Sequence, residues 1–238
     1  MSDSEKPKFI IPETGYMAQD PERPQPAYVA PAIEQGPPSD ATVLFDGSDL
    51  SHWRMADGSP AKWKVEDGYF EVIPKSGSIF TKAEFGSLQL HLEFASPVEL
   101  QGQGQGRGNS GIFFYENRYE VQILDNYENP TYADGIVGAI YSQHPPLVNA
   151  IRKPGEWNTY DIVWQAPVFD GKRLVAPAII TVLLNGVVVQ AHTKVLGGTR
   201  IKKGELPHYE AHPAEGCIQL QDHNNPVRFR NIWLRRLS

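Results

Sequence analysis

The chain from residue 41 onward is a succession of short alternating segments broken by turn residues. In Leu88-Gln-Leu-His-Leu-Glu-Phe94 apolar and polar positions alternate strictly, which predicts a half-buried strand. Trp63-Lys-Val-Glu66 and Tyr69-Phe-Glu-Val-Ile73 flank Asp67-Gly68, and Ala178-Ile-Ile-Thr-Val-Leu-Leu184 and Val187-Val-Val-Gln190 flank Asn185-Gly186. Asp-Gly and Asn-Gly tolerate the positive φ of a type I′ turn, so both are read as hairpins. Further strands are predicted at Thr42–Phe45, Gly138–Ser142, Asn158–Trp164, Cys217–Gln221 and Val227–Leu234. No amphipathic helix of ten residues follows position 40, and no repeat is evident. Many strands with little helix predict one large all-β sandwich over residues 41–238.

Residues 1–40 read differently. They hold 8 of the 20 prolines and show no helical or alternating period, which predicts an extended Pro-rich arm. Composition alone reads this arm as disordered or draped over the surface; Phe9-Ile-Ile11, Tyr16, Met17 and Tyr28 are more apolar than a solvated tail needs, so an ordered strap along the domain or a neighbouring subunit is the alternative.

Polar residues inside the predicted strands carry the functional signal. In Tyr119-Glu-Val-Gln-Ile-Leu-Asp125 the aromatic and aliphatic residues share one face, and Glu120 and Gln122 share the other. Glu is a poor strand former, so a carboxylate and an amide two residues apart suggest a sheet face that holds a polar ligand. Ile218-Gln-Leu-Gln-Asp-His223 repeats the pattern with Gln219, Gln221 and His223. Amides that both donate and accept suit sugar hydroxyls. The competing reading is the solvent face of an antiparallel sheet, which alternates in the same way. Tyr132, Tyr141, Trp157 and Trp53 are candidate flat surfaces for sugar rings.

Other motifs fall away. Gln101-Gly-Gln-Gly-Gln-Gly-Arg-Gly108 lacks the βαβ context of a dinucleotide fingerprint and reads as a loop delivering Arg107 to the mouth of the site. His208-Tyr-Glu-Ala-His212 lacks the helix of a zincin. There is no Gly-x-Ser-x-Gly elbow and no P-loop. Cys217 is alone and reads as a small buried hydrophobe.

A net charge of −6 and a sequence pI near 5.6 give no footprint for nucleic acid. No 18-residue apolar run predicts a membrane span. Met1–Lys8 lacks the basic start and apolar core of a signal peptide. The expected location is periplasmic or secreted if a signal has been removed, and cytoplasmic otherwise.

Several motifs in order carry a resemblance: Leu44-Phe-Asp-Gly47, Leu50-Ser-His-Trp53, Gly108-Asn-Ser-Gly-Ile112, Tyr119–Asp125, Gly138-Ala-Ile-Tyr141, Gly155-Glu-Trp-Asn158, Leu184-Asn-Gly186 and Phe229-Arg-Asn-Ile232. Over about residues 41–237 the chain resembles the 3-keto-disaccharide hydrolase family. The resemblance implies a concanavalin-like jelly-roll β-sandwich and cleavage of glycosides already oxidised at C3, some members acting as lyases or hydratases. It also implies a sugar 3-dehydrogenase upstream in the pathway. A C3 ketone acidifies the C2 proton, so a base can form an enolate that expels the C1 substituent. Glu120 or His223 is the candidate base and Asp125 an alternative acid/base group. Arg107, Gln122 and Gln221 are expected to hold keto and hydroxyl oxygens, with Asn109, Tyr141, Gln143 and Gln219 completing the substrate-binding set. A divalent cation is an alternative electrophile to Arg107. Two rivals remain at this point: a conventional glycoside hydrolase on the same fold, and a non-catalytic carbohydrate-binding module.

Overall fold

A computed structural model describes residues 36–199 and 206–237. The arm predicted over 1–40 therefore lies outside the described residues except for its last five. Among the described residues no helix is long and apolar enough to cross a membrane.

Two antiparallel sheets form the jelly-roll sandwich. The larger runs in the order β13 (Val187–Lys194), β12 (Ile179–Leu184), β9 (Asn158–Gln165), β6 (Leu88–Ala95), β15 (Arg228–Arg236), β4 (Tyr69–Glu71) and β3 (Lys64–Glu66). A further strand, β1 (Thr42–Phe45), pairs with the second half of β15. The smaller sheet runs β2 (Trp53–Met55), β5 (Ile79–Thr81), β14 (Ile218–Leu220), β7 (Ser110–Phe114) and β8 (Tyr119–Ile123). A separate hairpin pairs β10 (Val168–Asp170) with β11 (Arg173–Ala176).

Both predicted hairpin turns are present. Asp67 and Gly68 have φ of 46° and 78°, and Asn185 and Gly186 have 54° and 78°, as a type I′ turn requires. The predicted strand at 138–142 is reduced to a bridge between Ile140 and Val121. β2 and β5 escape the sequence reading because three residues cannot display a period.

The two sheets meet on a seam of aromatic rings. Phe114 of β7 stacks on Trp164 of β9 with centroids 4.6 Å apart, and Tyr119 of β8 packs 5.3 Å from the same indole. Each buried ring stabilises the sandwich by about 2 kcal/mol through the apolar area it removes from water. Further along, Phe70 and Phe229 stack at 5.6 Å and Trp63 lies over Phe229 at 6.1 Å.

β6 departs from its expected half burial. Two of its three polar residues are also buried, His91 being 8% exposed and Glu93 4%, while Gln89 is half-buried. Lateral pairing explains this: Arg230 holds Glu93 at 2.7 Å, Asn231 donates to Glu93 at 3.0 Å, and His91 Nδ1 meets Asp161 at 2.7 Å. The outward side chains cover one another, so their exposure is low although the face looks outward.

His212 ties the 206–216 segment to the core. Its Nδ1 donates to the Pro213 carbonyl at 2.8 Å, which leaves Nε2 to accept the Tyr119 hydroxyl at 2.8 Å. Burial pushes the His212 pKa below its ordinary value, because the charged ring is poorly solvated there. The neutral form is the folded one, so its stabilisation is complete above the unfolded pKa of about 6.5. It is lost as pH falls from there toward the depressed folded value. The melting temperature is expected to drop between pH 7 and pH 5, and His212→Gln, which keeps an acceptor without titrating, should flatten that slope. An unchanged slope in the variant would refute the assignment.

Candidate functional site

The register of the smaller sheet builds a polar floor on its outer face. Across it, Arg54 opposes Phe80, Phe80 opposes Gln219, Gln219 opposes Phe113 and Phe113 opposes Glu120. Inner positions of the same strands, such as Ile112, Phe114, Val121 and Leu220, enter the core. The next row holds Gln122 opposite Gly111, with the Gln221 amide nitrogen donating to the Gly111 carbonyl at 3.0 Å. A glycine thus sits between two glutamines, and the missing side chain opens the floor. A Cβ on Gly111 would stand 2.6 Å from Glu120 Oε1 and 3.4 Å from Gln221 Oε1. The carboxylate and the amide oxygen lean over the glycine from both sides.

The resulting cleft encloses about 190 Å³ and is lined by Asn109, Phe113, Glu120, Gln122, Tyr141, Thr199, Gln221 and His223. Its walls are fixed by backbone pairing along the free edge of β8. Tyr141 donates its amide to the Glu120 carbonyl at 3.2 Å, and Thr199 Oγ1 accepts the Glu120 amide at 3.1 Å. On the core side, the Tyr160 hydroxyl donates to the Gln122 carbonyl at 2.7 Å and pins β8 to the larger sheet.

Two acceptors in this cleft are idle. Gln122 Nε2 donates to Gln105 Oε1 at 3.0 Å and to the Gly135 carbonyl at 3.2 Å, yet Gln122 Oε1 has no hydrogen-bond partner among the described residues. Gln221 Oε1 is in the same condition. Buried polar atoms without a partner are uncommon, and both of these belong to residues that line the same cleft. His223 stands exposed at the mouth.

Six of the residues singled out in the sequence therefore converge: Glu120, His223, Asn109, Gln122, Tyr141 and Gln221. Four others are placed elsewhere. Gln219 accepts the Asn117 amide at 3.1 Å beneath the β7–β8 turn. Gln143 ties its loop to the 195–199 segment by bonds to Gly197 and Leu196. Arg107 and Asp125 form an ion pair at 2.9 Å, with Arg107 also donating to the Tyr127 carbonyl. Burial raises the Asp125 pKa, and the paired guanidinium pulls it back. This pair lines a separate cavity of about 280 Å³ with Glu71, Val98, Leu100 and Arg228. Although that cavity is larger, its buried acceptor, Asp125 Oδ2, is taken up by the Arg107 ion pair, and the smaller cleft, which carries two idle amide oxygens, is the better candidate site.

Among the aromatic candidates, Trp53 is core and donates to the Leu44 carbonyl. Trp157 is covered by Arg230 at 4.2 Å on the larger sheet. Tyr132 contacts Tyr141, hydroxyl to hydroxyl, at 2.5 Å. His208 and His212 do not form a cluster, and no group of three His, Cys, Asp or Glu suited to a metal ion occurs among the described residues. Gly111, Phe113 and Thr199 were missed. Only Gly111 had a signal, its place in Asn-Ser-Gly just before an apolar run.

The sequence profile of the 3-keto-alpha-glucoside-1,2-lyase-like domain matches residues 40–235. A 3-keto-disaccharide hydrolase of Bacteroides thetaiotaomicron is 25% identical over 233 residues, covering 82% of this chain and 78% of its own. Two crystal structures of Parabacteroides distasonis proteins, provisionally named glycosyl hydrolases, are similar. One is 46% identical with a TM-score of 0.86 and covers 92% of this chain and 95% of its own. The other is 27% identical with a TM-score of 0.60 and covers 83% and 99%.

The glycine gap makes a specific prediction. Gly111→Ala should keep the sandwich, with a melting temperature lowered by about 3–8 °C, because the added methyl meets side-chain atoms alone but one of them is the edge of the buried Phe113 ring at 3.0 Å. It should displace the Glu120 carboxylate and lower turnover at least about tenfold, which is one pKa-unit-sized change in activation free energy. Thermal denaturation beside a turnover assay checks this. Full activity would show that the gap does not position Glu120.

Proposed function

The chain belongs to the 3-keto-alpha-glucoside-1,2-lyase-like family, and on that premise we propose that it cleaves 3-keto-glycosides by removing the C2 proton and eliminating the C1 substituent. The observation that carries this reading is the composition of the cleft: one buried carboxylate, Glu120, beside two idle amide oxygens, with no second carboxylate among the described lining residues. Conventional glycosidases flank the scissile bond with two carboxyl groups. A single base suffices when the substrate already carries a ketone, because the ketone makes C2–H acidic and takes up the electron pair.

Each residue then has a role. Glu120 is the base for C2–H, fixed by strand backbone on both of its edges. Gln122 Oε1 and Gln221 Oε1 accept sugar hydroxyls and set the ring's orientation. His223, at the mouth, is the acid that protonates the departing oxygen. The pair of electrons from C2–H forms the C1=C2 bond by way of the enolate, and the C1–O electrons leave with the aglycone. Addition of water to the 2-hydroxyglycal product gives net hydrolysis, which reconciles a lyase-like family with a relative named as a hydrolase. A sugar 3-dehydrogenation is the class of reaction that supplies such a substrate.

The test is incubation in heavy water with a 3-keto-glucoside and its unoxidised parent, followed by mass spectrometry. Only the keto form should be consumed, with deuterium at C2 of the hydrated product. Glu120→Gln should lower turnover by about 10²-fold or more while still binding the parent glycoside. Cleavage of the parent would favour a conventional hydrolase. Binding without turnover of either compound would favour a carbohydrate-binding module.

A further inference from the structure

Elimination through an enolate needs a group to stabilise negative charge at the C3 oxygen, and the residues so far assigned supply a base, an acid and two acceptors. Arg107 was the expected donor but is committed to Asp125 and Tyr127 at the other cavity. The structure offers a different group beside Glu120.

We propose that Tyr141 donates the hydrogen bond that stabilises the enolate oxygen, with Tyr132 as its positioning residue. This rests on the elimination reading above. The two phenol oxygens are 2.5 Å apart, with the rings crossed at 67°. Two hydroxyls carry two protons, and their mutual contact uses one. With Tyr132 donating to Tyr141, the Tyr141 proton is released toward the cleft that Tyr141 lines. Polarisation by the first bond makes the second a stronger donor.

Both rings are held in place by neighbours. The Tyr141 amide is bonded to the Glu120 carbonyl, so donor and base sit on adjacent backbone. The Tyr132 ring is packed against Gly135, where a Cβ would come within 2.0 Å of Cε2. The Ser142 amide closes the unit on the Asp134 carbonyl at 2.9 Å. Partial burial and the Tyr141 contact also hold the half-exposed Tyr132 phenol above its ordinary pKa, with the Asp134 and Glu120 charges adding to the effect. A preorganised donor aimed at developing charge costs no reorganisation during reaction.

The proton and electron accounts balance. Glu120 takes the C2 proton, the C2–H pair forms C2=C3, and the carbonyl π pair moves onto O3, where the Tyr141 hydrogen bond meets it. When C3=O re-forms, the C2=C3 pair becomes C1=C2, and the C1–O pair departs with the aglycone oxygen, which takes a proton from His223. No redox partner is required.

Tyr141→Phe, Tyr132→Phe and the double variant test the assignment with a 3-keto-glucoside. Tyr141→Phe should lower kcat by about 10²-fold with KM within about threefold of wild type. Tyr132→Phe should lower kcat by about tenfold, and the double variant should fall no further than Tyr141→Phe, because Tyr132 acts through Tyr141. Loss of the label from a C2-deuterated substrate should slow in parallel, and calorimetric affinity for the unoxidised parent should hold. A raised KM with unchanged kcat, or losses that multiply in the double variant, would overturn the proposal. If wild type cleaves without losing the C2 label, the elimination reading fails and the dyad with it. If wild type loses the label and both single variants match its kcat, only the dyad fails.

Discussion

The aromatic seam between the sheets sets everything else in register. Trp164 on the larger sheet receives Phe114 and Tyr119 from two adjacent strands of the smaller one. Side chains alternate along a strand, so seating Tyr119 inward forces Glu120 and Gln122 outward together. The bond from the Tyr160 hydroxyl to the Gln122 carbonyl removes the remaining freedom to slide. A slip of one residue would bury the carboxylate in an apolar core and strip the cleft of its base. Site and core are thus one constraint viewed from the two faces of β8.

Amides distinguish the functional face from ordinary strand polarity. Gln190 donates to the Gly138 carbonyl, Gln143 uses both ends of its amide to tie two loops, and Gln219 accepts the backbone of a turn. Each of these bonds holds backbone in place. Gln122 and Gln221 differ, because each keeps a buried carbonyl oxygen without a partner. Two such acceptors in one cleft are hydrogen-bonding capacity that no described residue takes up.

A comparison of two glutamates shows how far sequence alone reaches. Glu93 and Glu120 both occupy alternating strands between apolar neighbours, and both are nearly inaccessible, at 4% and 6%. Glu93 is committed to Arg230 and Asn231 on the larger sheet, where it covers the sandwich. Glu120 lines the cleft over Gly111. Residue type and spacing cannot separate these cases. What separates them is what the neighbouring strand places opposite, Arg230 for Glu93 and Phe113 for Glu120, and strand register is not written in either residue's own neighbours. Arg107 and Asp125 teach the same lesson in reverse: a basic residue on a Gly-rich loop and an acid at a strand end looked available, and folding paired them with each other.

The sequence by itself determined the class of fold, the two type I′ hairpins and the facing of Glu120 with Gln122, because alternation and turn chemistry are local properties of a few consecutive residues. It also carried the family motifs, which are strings of adjacent residues. Only the tertiary structure decided that Gly111 opens the floor between Gln122 and Gln221, that Thr199 and Tyr141 close the edge of β8, and that Asp125 is consumed by Arg107. These are contacts across strands and loops remote in sequence, fixed by packing on the aromatic seam and invisible until the sheets are assembled.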